Sequence, residues 1–168
     1  TFSDGNMGSQ GTGGALSAGG SVTVNITAVN DTPDVVGPGS AYTVNEQTNL
    51  NIHGTGFSVT DVDAASGTVT ATIAVGEGAI TVAAGNSGVT IGGGNGTGSV
   101  TVTGTLAQIN NLLTAGGTGT IVYFNGSNPP STSTTITVTV NDGGNTGSDP
   151  GLTGDGSSEQ DSASQTIN

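Results

Sequence analysis

Asp61-Val62-Asp63 sets two carboxylates at i and i+2, a spacing that lets a turn aim both at one ion. Other short motifs repeat the chemistry: Asp31 in Val-Asn-Asp-Thr-Pro, Glu46 in Val-Asn-Glu, Asp142 in Val-Asn-Asp-Gly-Gly and Asp4 in Phe-Ser-Asp-Gly. The chain holds twelve Asp and Glu, one His and no Lys or Arg, for a net charge of −12. Carboxylates gathered in a fold raise one another's pKa and strain the compact state. No side chain here can neutralise them, so the positive partner is expected from solution. Hard oxygen donors without a single Cys point to Ca2+. The competing reading is that these are ordinary turn-forming Asp and Asn residues.

For the acids to share an ion, the elements between them must return them to one place. Period-two alternation runs through Tyr42 and Val44, Leu50 and Ile52 on to Phe57 and Val59, Val69 to Val75, Ile80 and Val82, Val89 and Ile91, Val100 and Val102, Ile121 and Tyr123, and Ile136 to Val140. Short alternating strands between Gly-, Asn- and Asp-rich turns predict an all-β, antiparallel Greek-key β-sandwich. Val22, Val24, Ile26 and Ala28 read as one more strand face. Leu106, Ile109, Leu112 and Leu113 instead follow helical spacing, with Thr105 and Gln108 as a capping box and Gly116-Gly117 as a stop. A short helix is predicted over 105–115.

In such a sandwich the chain leaves the pole where Asp31 enters, reaches the far pole near Glu46, and is back at the entry pole by Asp61 and Asp63. The penultimate strand, ending at Asn141-Asp142, also returns there. Asn30, Asp31, Asp61, Asp63 and Asp142 are therefore the expected ligands at one junction, and Glu46 would serve the following one. Asp149, Asp155, Glu159 and Asp161, in the long loop from Gly143 to Ala163, are a second candidate cluster.

A weak internal repeat sets the domain boundaries. Ser21-Val-Thr-Val-Asn25 matches Ser164-Gln-Thr-Ile-Asn168 at a separation of 143 residues, and Phe2-Ser-Asp-Gly5 resembles Val140-Asn-Asp-Gly143 at 138. Residues 1–32 read as the terminal strands and linker of a preceding repeat. Residues 33–168 read as the next repeat, lacking most of its last strand, of which only 165–168 would remain.

Other chemistries find less support. His53 has no second His to work with and is expected on an outer strand face. Gly94-Asn-Gly-Thr-Gly98 lacks the Lys and following helix of a phosphate loop and reads as a hairpin turn, and one degenerate copy cannot make a calcium β-roll. Glu46, Glu77 and Glu159 could pair as glycosidase acids, but no Trp offers a sugar platform, and the chain is read as not an enzyme. The sequons at Asn25, Asn30, Asn95 and Asn125 matter only in a glycosylating host. The charge opposes nucleic-acid binding, no stretch is long enough to span a membrane, and no Cys means no disulfide framework. No leader opens the chain, which reads as a segment of a longer protein or one exported by a signal outside it.

The Val-Asn-Asp-x-Pro linker, Asn-Glu, Asp-x-Asp, the Gly-Thr-Leu-Ala-Gln-Ile-Asn-Asn-Leu-Leu segment and the Val-Asn-Asp-Gly-Gly strand end, in that order, resemble the cadherin-like tandem repeats of giant bacterial surface and adhesion proteins. The resemblance covers nearly the whole chain. It implies an extracellular or cell-surface location, Ca2+ at each junction stiffening an extended rod, adjacent repeats as partners, and a role as an extender in cell adhesion or biofilm, with extracellular-matrix or cell-surface contacts. The alternative expectation is a fibre of identical subunits, with residues 21–29 donated as a β-strand to a neighbour and calcium at the junctions.

Overall fold

The computed structural model describes residues 2–3, 17–27, 29–64, 66–144 and 159–168. In chain order its elements are β1 (Phe2–Ser3), β2 (Ser17–Ala18), β3 (Asp34–Val36), β4 (Leu50–Asn51), β5 (Ser58–Thr60), β6 (Thr68–Val75), β7 (Ala79–Ala83), β8 (Thr90–Ile91), β9 (Ser99–Thr105), α1 (Leu106–Leu113), β10 (Thr120–Phe124), β11 (Thr134–Asn141) and β12 (Gln160–Ile167).

Alternation becomes burial, as a one-sided sheet requires. Val69, Ala71 and Ile73 of β6, Val100 and Val102 of β9, and Ile136, Val138 and Val140 of β11 face the core, while the Thr and Ser residues between them face outward. These strands form a five-stranded antiparallel sheet in the order β12-β11-β6-β9-β8, and β4-β10-β7 forms a three-stranded one. Ile52, Phe57, Ile80, Val82, Ile121 and Tyr123 complete the shared core. The result is an all-β antiparallel sandwich with one helix among the described residues.

The helix crosses from β9 to β10, and its cap is the one the sequence predicts. Thr105 Oγ1 accepts the Gln108 N–H at 3.3 Å, and Gln108 Oε1 accepts the Thr105 N–H at 2.8 Å. Ile109, Leu112 and Leu113 are its buried face. Beside them, the Asn110 amide works as a strand surrogate: Oδ1 accepts Val59 N–H at 2.9 Å and Nδ2 donates to Val59 O at 2.7 Å. Asn95 does the same for Val82 of β7, at 2.7 and 2.9 Å. In the β6–β7 turn, Gly78 has φ +97°, and a Cβ there would sit 2.7 Å from Phe124 O, so only glycine fits.

Three expectations are corrected. The last strand is not mostly missing: β12 pairs with β11 along its whole length, from Asn141↔Gln160 to Thr134↔Ile167. Its alternation was masked because Ser, Gln and Asp occupy it, Ile167 being its buried aliphatic. Residues 19–27 belong to no strand, and Val22, Val24 and Ile26 are 89%, 76% and 90% exposed. Their pattern is right for a strand, but no neighbour pairs with it among the described residues. His53 is half-buried, its Nδ1 2.7 Å from Leu112 O at the helix end, because β4 ends at Asn51 and the chain turns before strand alternation reaches it.

Near the N-terminus β1 and β2 pair Phe2↔Ala18 and Ser3↔Ser17, and β11–β12 pairs Val140↔Asp161 and Asn141↔Gln160. The two pairings are related by the separations read from the sequence, 138 residues on the first strand and 143 on the second.

Candidate metal centre

Asp61 follows β5 and builds its own turn. Its Oδ1 accepts the N–H groups of Asp63 and Ala64, both at 3.0 Å, while Ala64 is anchored in the core. Asp142 follows β11 and is fully buried; its N–H donates to Glu159 O at 2.8 Å and its Oδ1 accepts Gly144 N–H at 3.1 Å. Asp63 Oδ2 accepts the Asp31 N–H at 2.9 Å, which ties the incoming linker to the same turn.

Carboxylate oxygens of Asp61, Asp63 and Asp142, one from each, lie within 4.8 Å of one another. The hydrogen bonds above consume one oxygen of Asp61 and one of Asp142. The other, Oδ2 in each case, is buried and accepts no hydrogen bond. Buried anionic oxygens without donors are costly, and a neutralising side chain does not exist in this chain. Burial pushes the Asp61 carboxyl above the usual carboxylate range, and the Asp63 carboxylate adds to it, against the two backbone N–H bonds that pull the other way. A bound cation answers both the charge and the missing contacts. The trio can hold a metal ion, with donors of the hard, all-oxygen kind.

Of the other predicted ligands, Asn30 is buried, one residue from the linker amide that Asp63 holds. Asp31 reaches the site through that amide, and its own side chain is exposed and outside the trio. Glu46 is exposed and lines a cavity with Thr134 and Asn168. Thr134 begins the eight-residue strand that ends beside Asp142, so Glu46 sits at the opposite end of that strand from the trio, at the far pole. Asp4 lies outside the described residues, as do Asp149 and Asp155 of the second candidate cluster. Asp161 of that cluster is committed elsewhere: its Oδ2 accepts Val35 N–H at 2.8 Å, fastening β3 to β12.

Sequence reasoning missed the other carboxylate of consequence, Glu77. Its Oε1 accepts from Asn125 Nδ2 at 3.0 Å and its Oε2 from Ser131 N–H at 3.1 Å. The Ser131 hydroxyl, then the Asn125 amide, the Ser127 hydroxyl and the Ser131 N–H together hold its pKa down to about 2. Glu77 thereby clamps the β10–β11 connection at the far pole. Its Gly-Glu-Gly context looks like any turn, and the partners lie 48 and 54 residues away, so no local signal marks it.

No protein-family model matches the chain, and no curated protein matches it.

Proposed function

We propose that this chain is a calcium-stiffened structural repeat of a secreted bacterial adhesin or surface protein, an extender in cell adhesion or biofilm with no catalytic role. The observation that carries the reading is the acid trio beside the incoming linker, with buried oxygens of Asp61 and Asp142 lacking donors in a chain without Lys or Arg. Asp61, Asp63 and Asp142 hold Ca2+, and Asn30 and the Asp31 backbone fix the linker against it. The ion converts mutual repulsion into a bridge between linker and sandwich, which sets the angle at which a preceding repeat would leave. The shared pairing of β1–β2 and β11–β12 supports the tandem arrangement. Calcium suits the site better than magnesium, because the donors come from separate loops and need not form a tight octahedron.

The test is thermal unfolding in excess calcium, in magnesium and in chelator. An ion that binds only the folded state raises its melting temperature by linkage. A rise with calcium, little with magnesium and none in chelator is expected; three identical melts would remove the calcium mechanism.

A second reading, the same unit as a subunit of an extracellular fibre built by strand donation, is favoured by one observation. Val22, Val24 and Ile26 form an uncovered apolar alternation ahead of the sandwich.

A further inference from the structure

The chain contains two Asn-Gly pairs, Asn95-Gly96 and Asn125-Gly126. In such a pair the glycine backbone nitrogen can reach the asparagine side-chain carbon, because no Cβ shields it. Both side-chain carbonyls are polarised for attack: Asn95 Oδ1 accepts Val82 N–H at 2.7 Å, and Asn125 Oδ1 accepts Ser127 N–H at 3.0 Å. The nucleophiles differ. Gly96 N–H donates to Ile80 O at 2.8 Å, so attack there must first break that bond and pull the 93–96 turn off β7. Gly126 is exposed, follows β10, and its N–H has no backbone acceptor among the described residues. Accessibility of the asparagine alone would select the other pair, since Asn95 is exposed and Asn125 buried.

Asn125 is also where the far pole is tied together. Its Nδ2 donates to Glu77 Oε1 at 3.0 Å, and its backbone O accepts Gln47 N–H at 3.3 Å.

We infer that Asn125 is a site of spontaneous covalent modification, through which the Glu77 clamp on the β10–β11 connection is released. Solvent base removes the Gly126 amide proton and the nitrogen bonds to Asn125 Cγ, with Ser127 N–H holding the oxyanion that forms. The Cγ–Nδ2 bond then breaks and ammonia leaves, its extra proton supplied by water. A second water opens the succinimide ring at one carbonyl or the other, leaving aspartate at position 125 or isoaspartate, in which the backbone runs through the side chain. Either product exchanges the Nδ2 donor for a carboxylate facing Glu77, in a chain without Lys or Arg to neutralise the pair. The change is one-way, and time and pH set its extent. It depends neither on the cation nor on the repeat, because the acid trio lies at the opposite pole.

The test holds the natural chain folded at mildly alkaline pH in heavy-oxygen water, cuts it with chymotrypsin after Tyr and Phe, and reads the peptides by mass spectrometry. Aspartate and isoaspartate carrying solvent oxygen should accumulate at position 125 while Asn95 stays intact. Gly126→Ala should slow the conversion roughly tenfold, about 1.4 kcal/mol on the barrier. That variant keeps the fold, since the added Cβ meets only the ring of exposed Phe124, at 3.2 Å. Conversion at Asn95 as fast as at Asn125, or an Asn125 that converts in urea but never in the folded chain, would overturn the site. For the release, Asn125→Asp should lower the melting temperature in the natural chain and by much less alongside Glu77→Gln. An equal drop in both backgrounds would show that the new carboxylate does not act on Glu77, and would overturn the release.

Discussion

Asp61 and Glu77 are carboxylates at opposite poles of one sandwich, and their surroundings push them in opposite directions. Glu77 has donors on both oxygens, and its pKa falls to about 2. Asp61 is pushed up by burial and then by the Asp63 carboxylate beside it, against two backbone donors on one oxygen, while its other oxygen has none. Charge alone therefore does not identify a cation site. A carboxylate whose lone pairs are already met by N–H and O–H groups fastens loops; one turned inward against its own kind needs a partner from outside.

The sharpest way to break this comparison is to remove the acids of each pole in turn. With calcium hundredfold to thousandfold above its dissociation constant, linkage gives about 3 to 4 kcal/mol, or a melting shift of about 10 °C for a chain this size. Asp61→Ala combined with Asp63→Ala should abolish that shift. Glu77→Ala should lower the melting temperature by the same amount in calcium and in chelator, leaving the calcium response intact. If Glu77→Ala reduced the calcium shift as much as the double variant did, the two poles would not differ as described.

A smaller effect, but of diagnostic sign, is expected from Asp61→Asn. In chelator it relieves repulsion and desolvation of a charged group, and the melting temperature should rise slightly. In calcium it removes a ligand, and the melting temperature should fall below that of the natural chain. Two calorimetric scans of each protein check the crossing; a fall under both conditions would mean that the Asp61 turn is valued for its backbone bonds alone.

Much of this was legible in sequence because strand burial is periodic. The core positions of β6, β9, β10 and β11 follow from alternation, and the helix from Thr105, Gln108 and the spacing of Leu106, Ile109, Leu112 and Leu113. Counting strands between poles was enough to bring Asp61, Asp63 and Asp142 together and to send Glu46 away. What stayed hidden depends on long-range partners rather than period. β12 has Gln, Asp and Ser where an aliphatic alternation would be sought, and it is a strand because β11 pairs with it. Residues 21–27 have the alternation and no pairing strand among the described residues. Asn110 and Asn95 look like surface residues until the backbone of Val59 or Val82 arrives beside their amides.

Asn110 measures how much such a surrogate contributes without a charge. Asn110→Ala loses two hydrogen bonds to the Val59 backbone, worth about 1 kcal/mol each. The melting temperature should drop by about 5 °C, equally in calcium and in chelator. An appreciably larger loss in chelator would indicate that the helix and β5 couple to the Asp61 turn that follows it.

The gentlest probe is pH, and it separates the poles by sign. Glu77, depressed from 4.5 to about 2, contributes stability that is full above about pH 4.5 and lost as pH falls through 2. Asp61 is raised from 3.8, so in chelator its contribution is present below that value and lost as pH rises through the raised one. Melting temperature against pH in chelator should therefore respond differently to the two neutral variants. Glu77→Gln should flatten the acid side of the profile. Asp61→Asn should lift the side above pH 4, and calcium should erase that lift by making the charged form the favoured one. A common response from both variants would show that net charge, rather than the surroundings of each carboxylate, governs the pH dependence.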